Sequence, residues 1–458
     1  MTTRRRNHHM ISLKKRVAFV GMAVVSSLAV TSVAHAESIT AGGATFPDTF
    51  IQPAIAEFNK KTGHTLTYAA KGSSDGQTNF RGGLYDMGGT DSAVTTARTP
   101  SFGWTYVPYL AGAIAMTYRL DELKGAQLSL SPGTAEAIFN GTISNWSDPR
   151  IANDMRQNPT WANSVRRSGY RGASALWQNT RDAGSSNVTV ALNPSAFRKA
   201  KGKVVRVIDA KTKRVVQRAT VTTKSEIRLN IKTTKTATYE VQVDGKRVAS
   251  YKRVKTPTLP NRDITVVYRD GSGTTANFGI YMQSVNARWG ITNDFSANVP
   301  GGVTSFGARF QKQDTSANQS NYVADTNGAI GYSETSFAYD TSRQAKGLRV
   351  ISLQNNYGEF IQPSSASYNA FLSGATVAAN GFVTFDFKTR KRGAYPIGAV
   401  TYMLAKTAKS AKNDVVRQFI EFAINEYAPQ FGEGLGYVPL SGAMKTKGLE
   451  MAAKVSVS

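Results

Sequence analysis

Four short turns carry residue types that can hold a charged group without transforming it. "GGATFP" offers the Thr45 hydroxyl and backbone N–H groups, with Gly42 and Gly43 permitting close approach. "KGSSDG" sets Ser73 and Ser74 at a helix start, and "GGTDSA" supplies Asp91. "VVYRDGSGTT" runs an apolar strand into Arg269, Ser272, the Gly273 N–H and Thr274. Any one of these is a weak signal, because a Ser or Thr before a helix is ordinarily just an N-cap. Together they supply hydroxyls, helix N-termini and one guanidinium fork, the chemistry that holds a small tetrahedral oxyanion.

The elements that must position these turns read as alternating strands and helices, an α/β layer with a mostly parallel sheet. "SITAGG" and "HTLTYAA" are strands, and "DTFIQPAIAEFNKKTG" has helical apolar spacing and a glycine stop at Gly63. "AGAIAMTYRL" is a buried strand, and "SPGTAEAIFNGTISNWSDPRIAND" is helix, turn and helix. Near the C-terminus "AVTYMLAK" is a strand and "NDVVRQFIEFAINEYAPQFGE" an amphipathic helix. Each of the four turns follows a strand, where open α/β sheets bind ligands.

Between residues 157 and 256 the texture changes. β-rich runs are separated by "DAKTKR" and "VDGKRV", and Asp244-Gly245 is a strong hairpin signal. This segment reads as a small all-β module of sandwich type inserted into the α/β protein. Most of the charge lies here. The chain carries +26, but Ser195–Thr256 alone has 18 Lys and Arg against four Asp and Glu, a net +14. The basicity is regional and does not by itself make the main site a nucleic-acid site. Only Phe197, Tyr239 and Tyr251 are aromatic there, too few for single strands to stack upon, so no nucleic-acid partner is expected.

Residues 1–36 read as a secretory signal peptide: Arg4–Arg6 and Lys14–Arg16 precede "VAFVGMAVVSSLAV", and "AHA" offers a cleavage site. An exported protein, periplasmic, extracellular or held at the cell surface, is expected. With no cysteine, disulfides, thiol chemistry and a lipid anchor on an N-terminal cysteine are excluded. His64 is the one histidine beyond the signal and reads as a surface residue before a strand, so neither a triad nor a zinc site is expected.

In this order "AGGATFP", "GSSDG", "GGTDSA", "IFNGTISNWSDPRIA", "DGSGTT", "GAIGYSETSFA" and "YPIGAVTYMLAK" resemble the phosphate-binding protein of the high-affinity ABC phosphate importer. The resemblance covers about Ile39 to Ser441, apart from the inserted segment. It implies a type II-like two-lobed periplasmic-binding-protein fold that closes on inorganic phosphate and passes it to a membrane ABC permease. The lobes would be 37–114 with 397–458, and 115–156 with 257–396. Carried over by residue, the phosphate contacts fall on Thr45, the Phe46 N–H, Ser73, Asp91, Arg269, Ser272, Gly273 and Thr274. There are two departures: Arg269 directly precedes Asp270 where the family has one residue between, and residues 157–256 have no family counterpart. Asp91 repels an anion unless it accepts the ligand's own proton, which phosphate has at neutral pH and sulfate lacks.

A phosphatase or phosphotransferase using the same cradle needs a nucleophile with a base, or metals. No such set is legible, so neither an enzyme nor a cofactor is expected, and a monomer is. The basic part of the module, residues 195–256, suits attachment to an anionic cell-surface polymer, which makes an adhesion protein the other alternative.

Overall fold

The computed structural model describes residues 36–157, 170–179, 185–232, 237–252 and 258–457. Almost all of the expected signal peptide and most of the stretch "RDAGSSN" therefore lie outside the described residues. Among those described, no helix is long and apolar enough to cross a membrane.

The first elements are β1 (Ser38–Gly43), α1 (Asp48–Thr62), β2 (Thr65–Ala70), α2 (Ser73–Arg81), β3 (Met87–Thr90) and β4 (Trp104–Tyr118). α1 buries Phe50, Ile51, Ala54, Ile55 and Phe58, one face of a 3.6-residue repeat, and stops at Gly63 with φ 78°. After α3 (Pro132–Phe139) and α4 (Pro149–Gln157) comes the segment rich in strands. It contains β5 (Ala173–Asn179), β6 (Ser185–Leu192), α5 (Pro194–Ala200), β7 (Val204–Asp209), β8 (Val215–Thr220), β9 (Glu226–Lys232), β10 (Thr238–Val243) and β11 (Lys246–Lys252). The α/β pattern then resumes with β12 (Thr265–Tyr268), α6 (Gly273–Val285), β13 (Phe310–Lys312), α7 (Ser316–Asp325), β14 (Ala329–Glu334), β15 (Gly398–Lys406) and α8 (Ala411–Phe422).

The main sheet runs β13-β12-β14-β4-β15-β3-β1-β2. Its two flanks are parallel. Its centre is not, because β4 pairs antiparallel with β15 along Trp104–Ala113 and with β14 along Ile114–Tyr118. The sequence predicts a mostly parallel sheet; β4 and β15 are almost wholly buried apolar runs, and such runs carry no signal of strand direction. The expected C-terminal helix also differs: beyond Phe422 it widens into π turns over Ala423–Gly432 around Pro429, whose ring nitrogen cannot continue the α ladder.

The strands of the basic segment form two antiparallel sheets, β9-β6-β5 and β11-β10-β7-β8. Val188, Val190, Leu229 and Ile231 from one and Val205, Val207, Val241 and Val243 from the other share a hydrophobic cluster separate from the main core. β9 alternates exposed and buried residues throughout, as a sandwich strand with one wet face must. The Asp244-Gly245 turn has φ 51° and 74°, the paired positive values of the tight hairpin.

Candidate functional site

Three of the four turns are locked together by glycines. A Cβ on Gly43 would lie 2.1 Å from the Gly89 carbonyl oxygen and 2.8 Å from Gly76 Cα. Only bare backbone fits where β1, α2 and the end of β3 meet, and that meeting brings the Thr45, Ser73 and Asp91 turns together. Backbone bonds tie the junction: Gly72 N–H donates to the Gly43 carbonyl at 2.7 Å and Ala44 N–H to the Gly89 carbonyl at 3.0 Å.

The fourth turn faces them from the end of β12. Gly271 has φ 71°, which a side chain would resist, and its N–H donates to Asp294 Oδ1 at 2.7 Å. The chain then enters α6 with Ser272 as N-cap, its Oγ accepting from the Thr275 N–H at 3.3 Å. A Cβ on Gly273 would sit 2.3 Å from Ser73 Oγ and 2.9 Å from Asp91 Cβ, so the N-terminus of α6 lies directly against the opposing turns. Further bonds bridge the two sides. Asn277 Nδ2 donates to the Asp91 carbonyl at 2.6 Å, Ser74 N–H to the Gly271 carbonyl at 3.1 Å, and Asn293 Nδ2 to Ser74 Oγ at 3.0 Å. Ser74, a candidate donor from its position, is thus engaged in this bridge.

Thr45, Ser73, Asp91, Arg269, Ser272 and Thr274 are all buried. Phe46 packs its ring against Tyr437, centroids 5.7 Å apart, and its carbonyl accepts the Tyr437 hydroxyl at 2.7 Å. The side chain is core, and only the Phe46 backbone belongs to the turn. Arg269 lies inside the cluster despite the shortened spacing. Its Nη1 donates to Ser316 Oγ at 2.8 Å, while Nε and Nη2 reach the Asp314 carbonyl at 3.4 and 3.3 Å. Burial lowers its pKa, and Glu334 and Asp91 act against that.

Asp91 takes a weak bond from Ser73 Oγ to Oδ2 at 3.4 Å, while Ser73 Oγ accepts the Asp91 N–H at 3.1 Å. Asp91 Oδ1 has no partner among the described residues. Thr401 stands close enough to act on the carboxyl, yet its Oγ1 reaches hydrogen-bond geometry with no described group. Burial pushes the Asp91 pKa up to about 7; nearby Glu334 raises it further, while Thr401, Arg269 and Ser73 hold it down.

Two side chains here were not anticipated from the sequence. Glu334 ends β14 at 1% exposure and accepts Thr274 Oγ1 at 2.7 Å and Ser316 Oγ at 3.0 Å on Oε1. Ser316 opens α7, and its Oγ lies 3.0 Å from Thr45 Oγ1. The available signal was Glu334 itself, a carboxylate ending a wholly buried strand, where it must find donors. His64 stands apart from the cluster, accepting the Glu37 N–H on Nδ1 at 3.1 Å.

A family description, PBP superfamily domain, matches residues 29–251 and 244–426. The chain is 23% identical over 408 residues to the phosphate-binding protein PstS of Xylella fastidiosa (strain Temecula1), covering 88% of this chain and 81% of that protein. It is 25% identical over 424 residues to the phosphate-binding protein PstS of Haemophilus influenzae, covering 91% and 92%. Among solved structures, a high affinity periplasmic phosphate-binding protein, PfluDING, superposes with a TM-score of 0.55 at 17% identity, covering 89% of this chain and 92% of that one. That likeness extends to the fold: a mixed α/β architecture of periplasmic-binding type. With the family description spanning most of its length, the chain belongs to the PBP superfamily.

Proposed function

We propose that the protein captures inorganic phosphate between two lobes, 37–114 with 397–458 and 115–156 with 257–396, and delivers it to a membrane ABC permease. The observation that carries this reading is Asp91, a buried carboxylate whose Oδ1 is unpartnered among the described residues, amid hydroxyls, a helix N-terminus and a guanidinium. Ionised, such a carboxylate suits an anion site only if the anion brings a proton, which phosphate does and sulfate does not. The names of the Xylella and Haemophilus relatives point to the same ligand. The contacts would be Thr45, the Phe46 N–H, Ser73, Asp91, Arg269, Ser272, the Gly273 N–H and Thr274. Calorimetric titration of ligand-stripped protein with phosphate is expected to give one site per chain, and absence of any binding would overturn the reading.

Binding without chemistry is part of the proposal. Ser272 uses its Oγ to cap α6, and the relatives are binding proteins by name. Purified protein is expected to leave phosphate monoesters intact. We further propose that the protein is exported and works as a monomer in the periplasm or at the cell surface.

A second reading concerns the basic segment. Register places Arg247 opposite Gln242, Gln242 opposite Arg206, and Arg206 opposite Arg218, one row across all four strands of β11-β10-β7-β8. The three arginines are exposed, and like charges directly opposite one another cost stability. A face of this kind suits an anionic cell-surface polymer. Tyr239 and Tyr251 are buried in the segment's own core, which leaves them unable to stack on bases. Arg206→Ser with Arg218→Ser is expected to lower retention on cells at low salt; unchanged retention would sink this reading.

A further inference from the structure

The hydroxyl protons around the cluster can be counted. Ser316 has one, and at 3.0 Å from Glu334 Oε1 the carboxylate can only accept it. With its proton committed, Ser316 Oγ must accept from its other neighbours, Arg269 Nη1 at 2.8 Å and Thr45 Oγ1 at 3.0 Å. Thr45 is therefore the donor in that pair. Thr274 spends its single proton on Glu334 Oε1 at 2.7 Å. So Thr45 and Thr274, two of the hydroxyls proposed to hold phosphate, both direct their protons along a relay that ends on Glu334.

Ionised, Glu334 receives what the anion needs and repels it as well. Protonated on its buried Oε2, which is unpartnered among the described residues, it loses its charge, holds those hydroxyls on Oε1 more weakly, and turns Oε2 into a donor. Resting on the phosphate-binding reading, we propose that Glu334 competes with the anion for the Thr45 and Thr274 hydroxyls and takes up a solvent proton when the anion binds. The dianion and the proton together add one negative charge to the buried cluster instead of two. The charged and titratable groups acting with Glu334 are Arg269 after β12, Asp91 after β3, and Tyr437. Burial raises the Glu334 pKa, which brings protonation closer to neutral pH, while Arg269 opposes it.

The test is calorimetry with inorganic phosphate in buffers of different ionisation enthalpy, at a pH where the free anion is a single species. Wild type is expected to take up protons on binding. Glu334→Gln is expected to lose that uptake and to bind at alkaline pH about tenfold tighter or more, the factor carried by one pKa unit. Wild-type binding without proton uptake would overturn the inference while leaving the phosphate reading intact. Uptake that persists in Glu334→Gln would also overturn it and move the proton to Asp91. No phosphate binding at all would remove the phosphate reading and the inference with it. Should Glu334→Gln fail to fold, Asp91→Asn serves instead: retained uptake supports Glu334, and lost uptake counts against it.

Discussion

Asp91 and Glu334 are buried carboxylates with raised pKa values, and that has a consequence for stability without any ligand. Asp91 moves from an ordinary 3.8 to about 7 on folding. The folded state therefore holds a proton that the unfolded chain releases, so this stability is present below the unfolded value and lost as pH rises through the folded one. We expect the melting temperature of ligand-free protein to fall between about pH 4 and 7 through this group, and Asp91→Asn to flatten part of that slope. A slope identical in the variant would place the proton elsewhere. Single deletions test the donors: Ser73→Ala and Thr274→Ala are each expected to weaken phosphate binding by about 1.5–3 kcal/mol, and Arg269→Ala by at least as much. At this scale the sequence was partly legible. Thr45, Ser73, Asp91 and Thr274 stand in turns that follow strands, where local pattern suffices. Glu334 and Ser316 do not, because their pairing across β14, α6 and α7 exists only in three dimensions.

Among the elements, the N-terminus of α6 approaches the opposing turns most closely in the proposed site. Gly273 is the first residue of α6, where glycine costs a helix less than in its interior, and closeness to Ser73 and Asp91 is what it gains. Gly273→Ala is expected to keep or slightly raise helix content in the ligand-free protein while weakening phosphate binding at least about tenfold, roughly 1.4 kcal/mol. Circular dichroism with titration separates the two effects, and unchanged affinity would show that the close approach is unnecessary. Helices and short strands were readable here from caps and period, as at Gly63 and the Asp244-Gly245 hairpin. Strand direction was not. The buried runs of β4 and β15 look alike whichever way the neighbour points, so the antiparallel centre of the sheet was hidden.

For the whole molecule the question is whether the basic segment and the cleft are independent. The segment has its own hydrophobic cluster, and the α/β pattern resumes after it with β12. We propose that residues 157–256 fold as a separate module, since insertions are tolerated where the ends of a surface loop lie close together. Replacing them with a short Gly/Ser linker is expected to leave phosphate affinity unchanged and to abolish low-salt retention on cells. Lost affinity in a variant that still folds would tie the segment to the site. Composition disclosed the regional +14, but only strand register revealed that Arg206 and Arg218 stand opposite each other.

The most direct test of phosphate capture is a paired titration of ligand-stripped protein with phosphate and sulfate at a pH above the Asp91 value of about 7, where that carboxyl is ionised and phosphate still carries a proton. The two anions share shape and near-equal size, and they differ in the proton that Asp91 Oδ1 would accept. The account predicts one phosphate site per chain and at least about a hundredfold weaker binding of sulfate, roughly 2.7 kcal/mol. Equal affinity for the two anions would contradict it.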